Sequence, residues 1–285
     1  MANRLSNSPI GIFDSGIGGL TVAQAIVELL PNEDIIYFGD TAHLPYGDKS
    51  PDSIRYYALK ICKYFIDSGC KAIVIACNSA ASVAAYDILD FYGDDLLIIN
   101  VVDPLVQEVA KSNFRKVGVI ATTATTDSGV YPEQLKKYRP ELEVESMATP
   151  LLVPMIEENI VHNEVSRIIL KNYLEATPLM DIDALLLACT HYPLIKTEIA
   201  DLLPKSVSIL DSSKTTAEYL RKELQHRKLL NDNMNTPRSN LFKVSQFHPT
   251  FEKITALFFG NKVHLEEVDI WGEHQWPQEE RRSGH

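Results

Sequence analysis

Short apolar runs alternate along this chain with longer segments whose apolar residues recur every three to four positions. IGIF (10–13) and DIIYFGD (34–40) read as strands, and LTVAQAIVELL (20–30) reads as a helix that stops before Pro31. PDSIRYYALKICKYFIDSG (51–69) opens with Pro and Asp, places apolar residues at helical spacing and ends on Gly69. KAIVIA (71–76) then reads as a buried strand, with a helix from about Asn78. A strand that feeds a helix that feeds another strand builds βαβ units, so a largely parallel sheet is expected.

The pattern occurs twice. KVGVIAT (116–122), ELEVESMAT (141–149) and DALLLA (183–188) continue as strands, with a helix over about Asn163–Leu174. IVIACNSA (73–80) matches LLLACTHY (185–192): an apolar run, Ala-Cys, a small polar residue and a helix-entry signal. IGIFDSGIGG (10–19) likewise corresponds to VGVIATTATTDSG (117–129). Asp14 and Cys77 lie 63 residues apart, and the equivalent Ala121 and Cys189 lie 68 apart. Such internal repetition indicates two related halves. The expected fold is therefore α/β: two pseudo-symmetric α/β domains with mainly parallel sheets and an active site in the cleft between them. Residues 1–98 with 212–285 are expected to form the first, and residues 99–211 the second. Past Leu210 the chain shows a helix (215–230), a polar break, a strand (241–245), a helix near Thr250–Phe259 and an aperiodic tail from Trp271.

Charge and cysteine usage narrow the function. Asp+Glu number 38 against 27 Lys+Arg, a formal net charge of −11. That balance disfavours nucleic acid and anionic membranes as partners, because both attract basic surfaces. No apolar stretch reaches the ~18 residues of a membrane span. The first residues lack a secretory apolar core, so a cytoplasmic protein is expected. Cys62, Cys70, Cys77 and Cys189 include no C-x-x-C pair, so neither a structural zinc site nor a metal centre of any kind is expected.

Cys77 and Cys189 each end an apolar strand and directly precede a helix start, where ligands of open α/β sheets collect. Asn78 and Ser79 are good N-cap residues, as is Thr190, with Pro193 suited to a first turn. A helix N-terminus beside each sulfur would favour thiolate and could hold a carboxylate. A buried apolar thiol is the competing reading for any single cysteine. Cys62 and Cys70 lack such an elbow and read as structural.

FDSGIGGLTV (13–22), YFGDTAHLPYGDKS (37–50), ACNSA (76–80) and LLACTHYPLI (186–195) together resemble the signatures of the glutamate racemases, within the aspartate/glutamate racemase superfamily. The resemblance extends to about Val268. It departs only at Ser79, where the family often has Thr, and at His43-Leu44, where Arg-Val is common. The resemblance implies Cys77 and Cys189 as the catalytic pair, serving the D- and L-substrate respectively. It places Asp14 beside Cys77, assisting it and contacting substrate together with Ser15. His191 would assist Cys189 and touch substrate, and Glu157 supplies an acidic group near that cysteine, with Glu158 as its rival. Pro45, Tyr46 and Gly47 would hold the substrate carboxylate through backbone. Asn78, Ser79, Thr122, Thr125 and Thr190 would line the pocket. The family needs no cofactor, is usually homodimeric and provides D-glutamate for peptidoglycan.

The chemistry agrees with that assignment. Racemisation removes the α-hydrogen from one face of Cα and returns a proton to the other, and one base cannot easily serve both. Four alternatives stay open on the sequence: an aspartate racemase, a non-catalytic two-lobed amino-acid-binding protein, a thiol redox protein and a proton-abstracting hydrolase or decarboxylase.

Overall fold

The computed structural model describes residues 5–94, 96–232, 239–259 and 264–272. Among the described residues, ten strands form two parallel sheets. The first contains β1 (Ile10–Asp14), β2 (Ile35–Gly39), β3 (Ala72–Ile75), β4 (Leu97–Asn100), β9 (Asn240–Val244) and β10 (Leu265–Glu267), in the order β10-β9-β2-β1-β3-β4. The second contains β5 (Lys116–Ala121), β6 (Glu143–Ala148), β7 (Ala184–Ala188) and β8 (Ser208–Asp211), in the order β6-β5-β7-β8. The order 2-1-3-4 thus repeats as 6-5-7-8, which is the duplication read from the sequence.

Register carries the duplication to single residues. Ala76 N–H donates to Phe13 O at 2.9 Å, beyond the last paired residues of β1 and β3. Ala121 is paired with Ala188. Cys77 and Cys189 therefore leave their sheets at equivalent points, directly after Ala76 and Ala188.

The central strands IGIFD, AIVI and ALLLA are buried along their whole length, as expected where helices cover both faces. Their side chains alternate between cores. Ala184, Leu186 and Ala188 join the large core that also packs the first sheet, whereas Leu185, Leu187 and Cys189 join a smaller core. Local signals set the helix ends. Ser50 accepts Ser53 N–H at 3.2 Å, Pro51 occupies the first turn, and Gly69 at φ 75° lies past the end of the helix Pro51–Asp67. Asn163 forms a capping box that starts the helix Glu164–Leu174.

Several segments differ from the sequence reading. β4 and the helix Val102–Ala110 were not anticipated; Asn100 Oδ1 accepts both Val102 and Asp103 N–H and so turns one into the other. The helix expected over 215–230 runs Ser212–His226, because Asp211 caps it by accepting Ser213 N–H. Trp271, placed in the loose tail, packs edge-on against Tyr57 and His43, and Lys60 donates to its carbonyl. Residues 273–285 of that tail, and 233–238 of the polar break, lie outside the described residues.

At the end of the first sheet opposite the cysteines sits a buried ion pair, Lys71 with Glu33. Lys71 also donates to Ser6 O, and Glu33 accepts Asn231 N–H at 2.9 Å. Burial pushes the Glu33 carboxyl up and the Lys71 ammonium down, and each is partly restored by the other. Among the described residues, no helix is long and apolar enough to cross a membrane.

Candidate active site

The carboxyl ends of β1, β3, β5 and β7 converge. Asp14, fully buried, accepts Gly16 N–H at 3.0 Å and the Thr190 hydroxyl at 3.2 Å. Thr21 Oγ1 donates to Thr190 O at 3.2 Å. From the other side, Ser79 and Thr122 hydroxyls meet at 2.9 Å. Each cysteine elbow is thus hydrogen-bonded to a loop of the other half. Glycine is needed at this junction: a Cβ on Gly18 would stand 2.5 Å from His191 Nδ1 and 2.6 Å from Thr190 Oγ1. One on Gly47 would stand 2.8 Å from Thr122 Cβ.

Cys77 is itself the N-cap of the helix Asn78–Tyr92, and Ala80 N–H donates to its Sγ at 3.5 Å. Asn78 and Ser79 therefore do not cap; they form the first turn, because the backbone is still extended only at Cys77 (φ −67°, ψ 120°). The expected depression of the thiol pKa is also overturned. Burial pushes Cys77 up to about 12, and the neighbouring Asp14 charge adds to the rise. The Ala80 N–H and the Ser15 hydroxyl pull the other way but do not prevail, and the charge of Cys189 raises it further. With only 5% of its surface exposed, Cys77 rests as a thiol.

Cys189 is 6% exposed. Its Sγ lies 3.8 Å from His191 Nδ1, and His191 Nε2 lies 3.1 Å from Glu157 Oε1. Burial alone would lower the imidazole pKa. The bonds to Cys189 and Glu157 outweigh it and hold His191 well above the ordinary histidine value. Between the two rival carboxylates, Glu157 makes the contact and Glu158 is exposed. The elbow differs from the reading in one respect. Thr190 caps nothing, since its hydroxyl is turned to Asp14; a 3-10 turn, Tyr192–Ile195, follows, and the helix Lys196–Leu202 starts only after it.

The remaining residues fall around this junction. Thr122 caps the helix Thr123–Asp127 and donates to Thr125 Oγ1 at 3.1 Å. Asn78 Oδ1 accepts the Tyr131 hydroxyl at 2.7 Å, whereas Asn78 Nδ2 is buried and has no partner among the described residues. The Tyr46 phenol is committed elsewhere, donating to Asp40 Oδ2 at 2.7 Å. The Pro45–Gly47 segment can therefore serve a ligand only through its backbone. A cavity of about 640 Å³ opens at Gly47 and Thr123, and another of about 670 Å³ at Gly18, Glu157 and His191.

Sequence reasoning missed Tyr131 and Asp40. Asp40 accepts from Tyr46, from Ser245 Oγ at 2.7 Å, and binds His43 Nδ1 at 2.9 Å, which ties the 40–47 loop to β9. Asp40 lies inside a quoted motif, but nothing in the sequence brings Ser245 to it. Among the described residues, no group of three or more His, Cys, Asp or Glu is placed to hold a metal.

A family profile described as Asp/Glu/hydantoin racemase matches residues 10–220, a span that carries both cysteine elbows. The chain belongs to this racemase family. Its relatives include the glutamate racemase of Persephonella marina, 37% identical over 262 residues that cover 92% of this chain and 97% of that protein. The glutamate racemase of Thermus thermophilus is 42% identical over 226 residues, covering 79% and 82%. Among solved structures, the Francisella tularensis glutamate racemase in complex with D-glutamate superposes with a TM-score of 0.86 at 38% identity, covering 94% of this chain and all of that one. The racemase family fold of these neighbours is the two-sheet α/β arrangement described above.

Proposed function

We propose that this protein interconverts L- and D-glutamate by cofactor-independent two-base proton transfer, with Cys77 and Cys189 acting on opposite faces of Cα. The observation that carries the reading is the pair of buried thiols at equivalent strand ends, each elbow bonded to the other half through Thr190–Asp14 and Ser79–Thr122. The first lobe is built on β1–β4, β9 and β10 and runs through Asn100, two residues past the boundary at 98 expected from the sequence, because β4 pairs with β3 as far as Ile75–Asn100; the second is built on β5–β8.

The two sites are electrostatically unlike. Cys189 Sγ has the His191 ring 3.8 Å away as a partner; Cys77, pressed by burial and by Asp14, holds its proton. In the L-to-D direction Cys189 is the base and Cys77 the acid. Cys189 thiolate takes the α-proton of L-glutamate, and the Cys77 thiol delivers its own proton to the opposite face. The products are D-glutamate, a Cys189 thiol and a Cys77 thiolate, which is the form that deprotonates D-glutamate. Asp14 assists Cys77; His191, oriented by Glu157, assists Cys189. The carbanion needs a dry, preorganised setting. Ser15, Asn78, Ser79, Thr122, Thr125, Thr190 and the Pro45–Tyr46–Gly47 backbone supply its polar contacts.

By its family, the enzyme works in the cytoplasm as a homodimer and feeds D-glutamate to peptidoglycan synthesis. A coupled assay on L- and D-glutamate and L- and D-aspartate, with no added cofactor, tests the assignment. Turnover of both glutamate enantiomers is expected. Faster turnover of aspartate would make it an aspartate racemase, and binding without turnover would make it a carrier.

A further inference from the structure

We infer that Tyr131 is a positioning residue that fixes the side-chain amide of Asn78 so that its NH2 group faces the substrate; this rests on the reading of Asn78 given above. Tyr131 belongs to the other half of the molecule, in the helix Val130–Tyr138 that starts after Gly129 at φ 68°. Its ring is buried, and its hydroxyl reaches Asn78 Oδ1 at 2.7 Å across the junction. Burial pushes the phenol pKa up, and the charges of Cys189 and Asp103 add to this, so the hydroxyl stays protonated and remains a donor.

An amide whose oxygen is held must turn its nitrogen the opposite way. That nitrogen is buried, has no partner among the described residues, and lies on the residue next to Cys77. Buried donors are almost always satisfied, so an orphan beside Cys77 calls for an acceptor brought by the ligand, and a carboxylate oxygen fits. Without the phenol the amide is free to rotate, and its carbonyl would then face the same carboxylate and repel it. Tyr131 thus selects the orientation that binds.

The test is Tyr131→Phe, which keeps the ring and removes only the donor. KM for glutamate is expected to rise about 3–10-fold, the size of one hydrogen bond, with kcat within about 2-fold. The rise in Tm that glutamate causes should shrink in parallel. In an Asn78→Ala background, adding Tyr131→Phe should change neither quantity. An unaltered KM in Tyr131→Phe, or a penalty of equal size in the Asn78→Ala background, would overturn the inference, the latter by showing that the phenol acts through packing alone. If the wild-type protein racemises neither glutamate enantiomer, the proposed function fails while the Tm shift still reads the Tyr131–Asn78 pair. Absence of that shift in the wild type as well would overturn both.

Discussion

Serine in place of either Cys77 or Cys189 is expected to lower kcat for glutamate racemisation by about 10²–10⁴-fold, in both directions of reaction. Each sulfur acts once per turnover, as base in one direction and as acid in the other, so neither direction survives the loss of one. A hydroxyl at the same place is nearly isosteric and can keep the Ala80 N–H contact made by Cys77 Sγ. It is, however, a far weaker acid than a thiol and forms almost no anion at neutral pH. The fold should be little affected, so Tm is the control. Circular dichroism of the amino acid reads the rate. Near-wild-type turnover in either variant would dismiss the two-base scheme.

The second large effect is on stability and arises far from the cysteines. Lys71→Met removes the partner of Glu33, which is almost fully buried. Breaking a buried pair by deleting one member costs about 3–5 kcal/mol, because the other charge is left uncompensated. For a chain of this size that corresponds to a Tm lower by about 6–20 °C. The pH dependence has a definite sign. The folded pKa of Glu33 already lies above the unfolded value of 4.5, and removing Lys71 raises it further. A group raised in this way favours the fold below its unfolded pKa and opposes it as pH climbs through the folded value. The penalty of Lys71→Met should therefore be largest at neutral pH and shrink as pH falls toward 4.5. Adding Glu33→Gln should recover part of the loss at neutral pH. Thermal unfolding followed by circular dichroism checks both. Glutamate turnover at 25 °C should be unchanged, since Lys71 precedes β3 and Cys77 follows it.

Much of the architecture was legible because its strands are continuous apolar runs buried on both faces, and the helices between them carry ordinary caps. The repeat of Ala-Cys after such a run located both elbows to the residue. Local signals did not reveal how those elbows are solvated. The expectation of an acidic Cys77 followed from a helix N-terminus, a short-range effect, whereas its raised pKa comes from burial among residues distant in sequence. Thr190 read as a cap because threonine usually caps; the Asp14 carboxylate, 176 residues away, takes its hydroxyl instead. Tyr131, in an unremarkable helical stretch, matters only through its bond to Asn78 across 53 residues. Asp40 and Ser245 meet over 205 residues. Trp271 belongs to a segment without periodicity, yet its ring closes on Tyr57 and His43. In each case a tertiary contact decided what the local pattern left open.

In the two-base scheme one sulfur takes the α-proton while the other returns a different one to the opposite face. It is tested most directly by incubating L-glutamate with the wild-type protein in D2O, without added cofactor. Proton NMR follows the α-hydrogen and circular dichroism follows handedness. D-glutamate is expected to appear carrying solvent deuterium at Cα from the first turnovers. Deuterium entering glutamate that stays L would point to a single base, and D-glutamate that retains its original α-proton would point to direct transfer between faces; either result would contradict it.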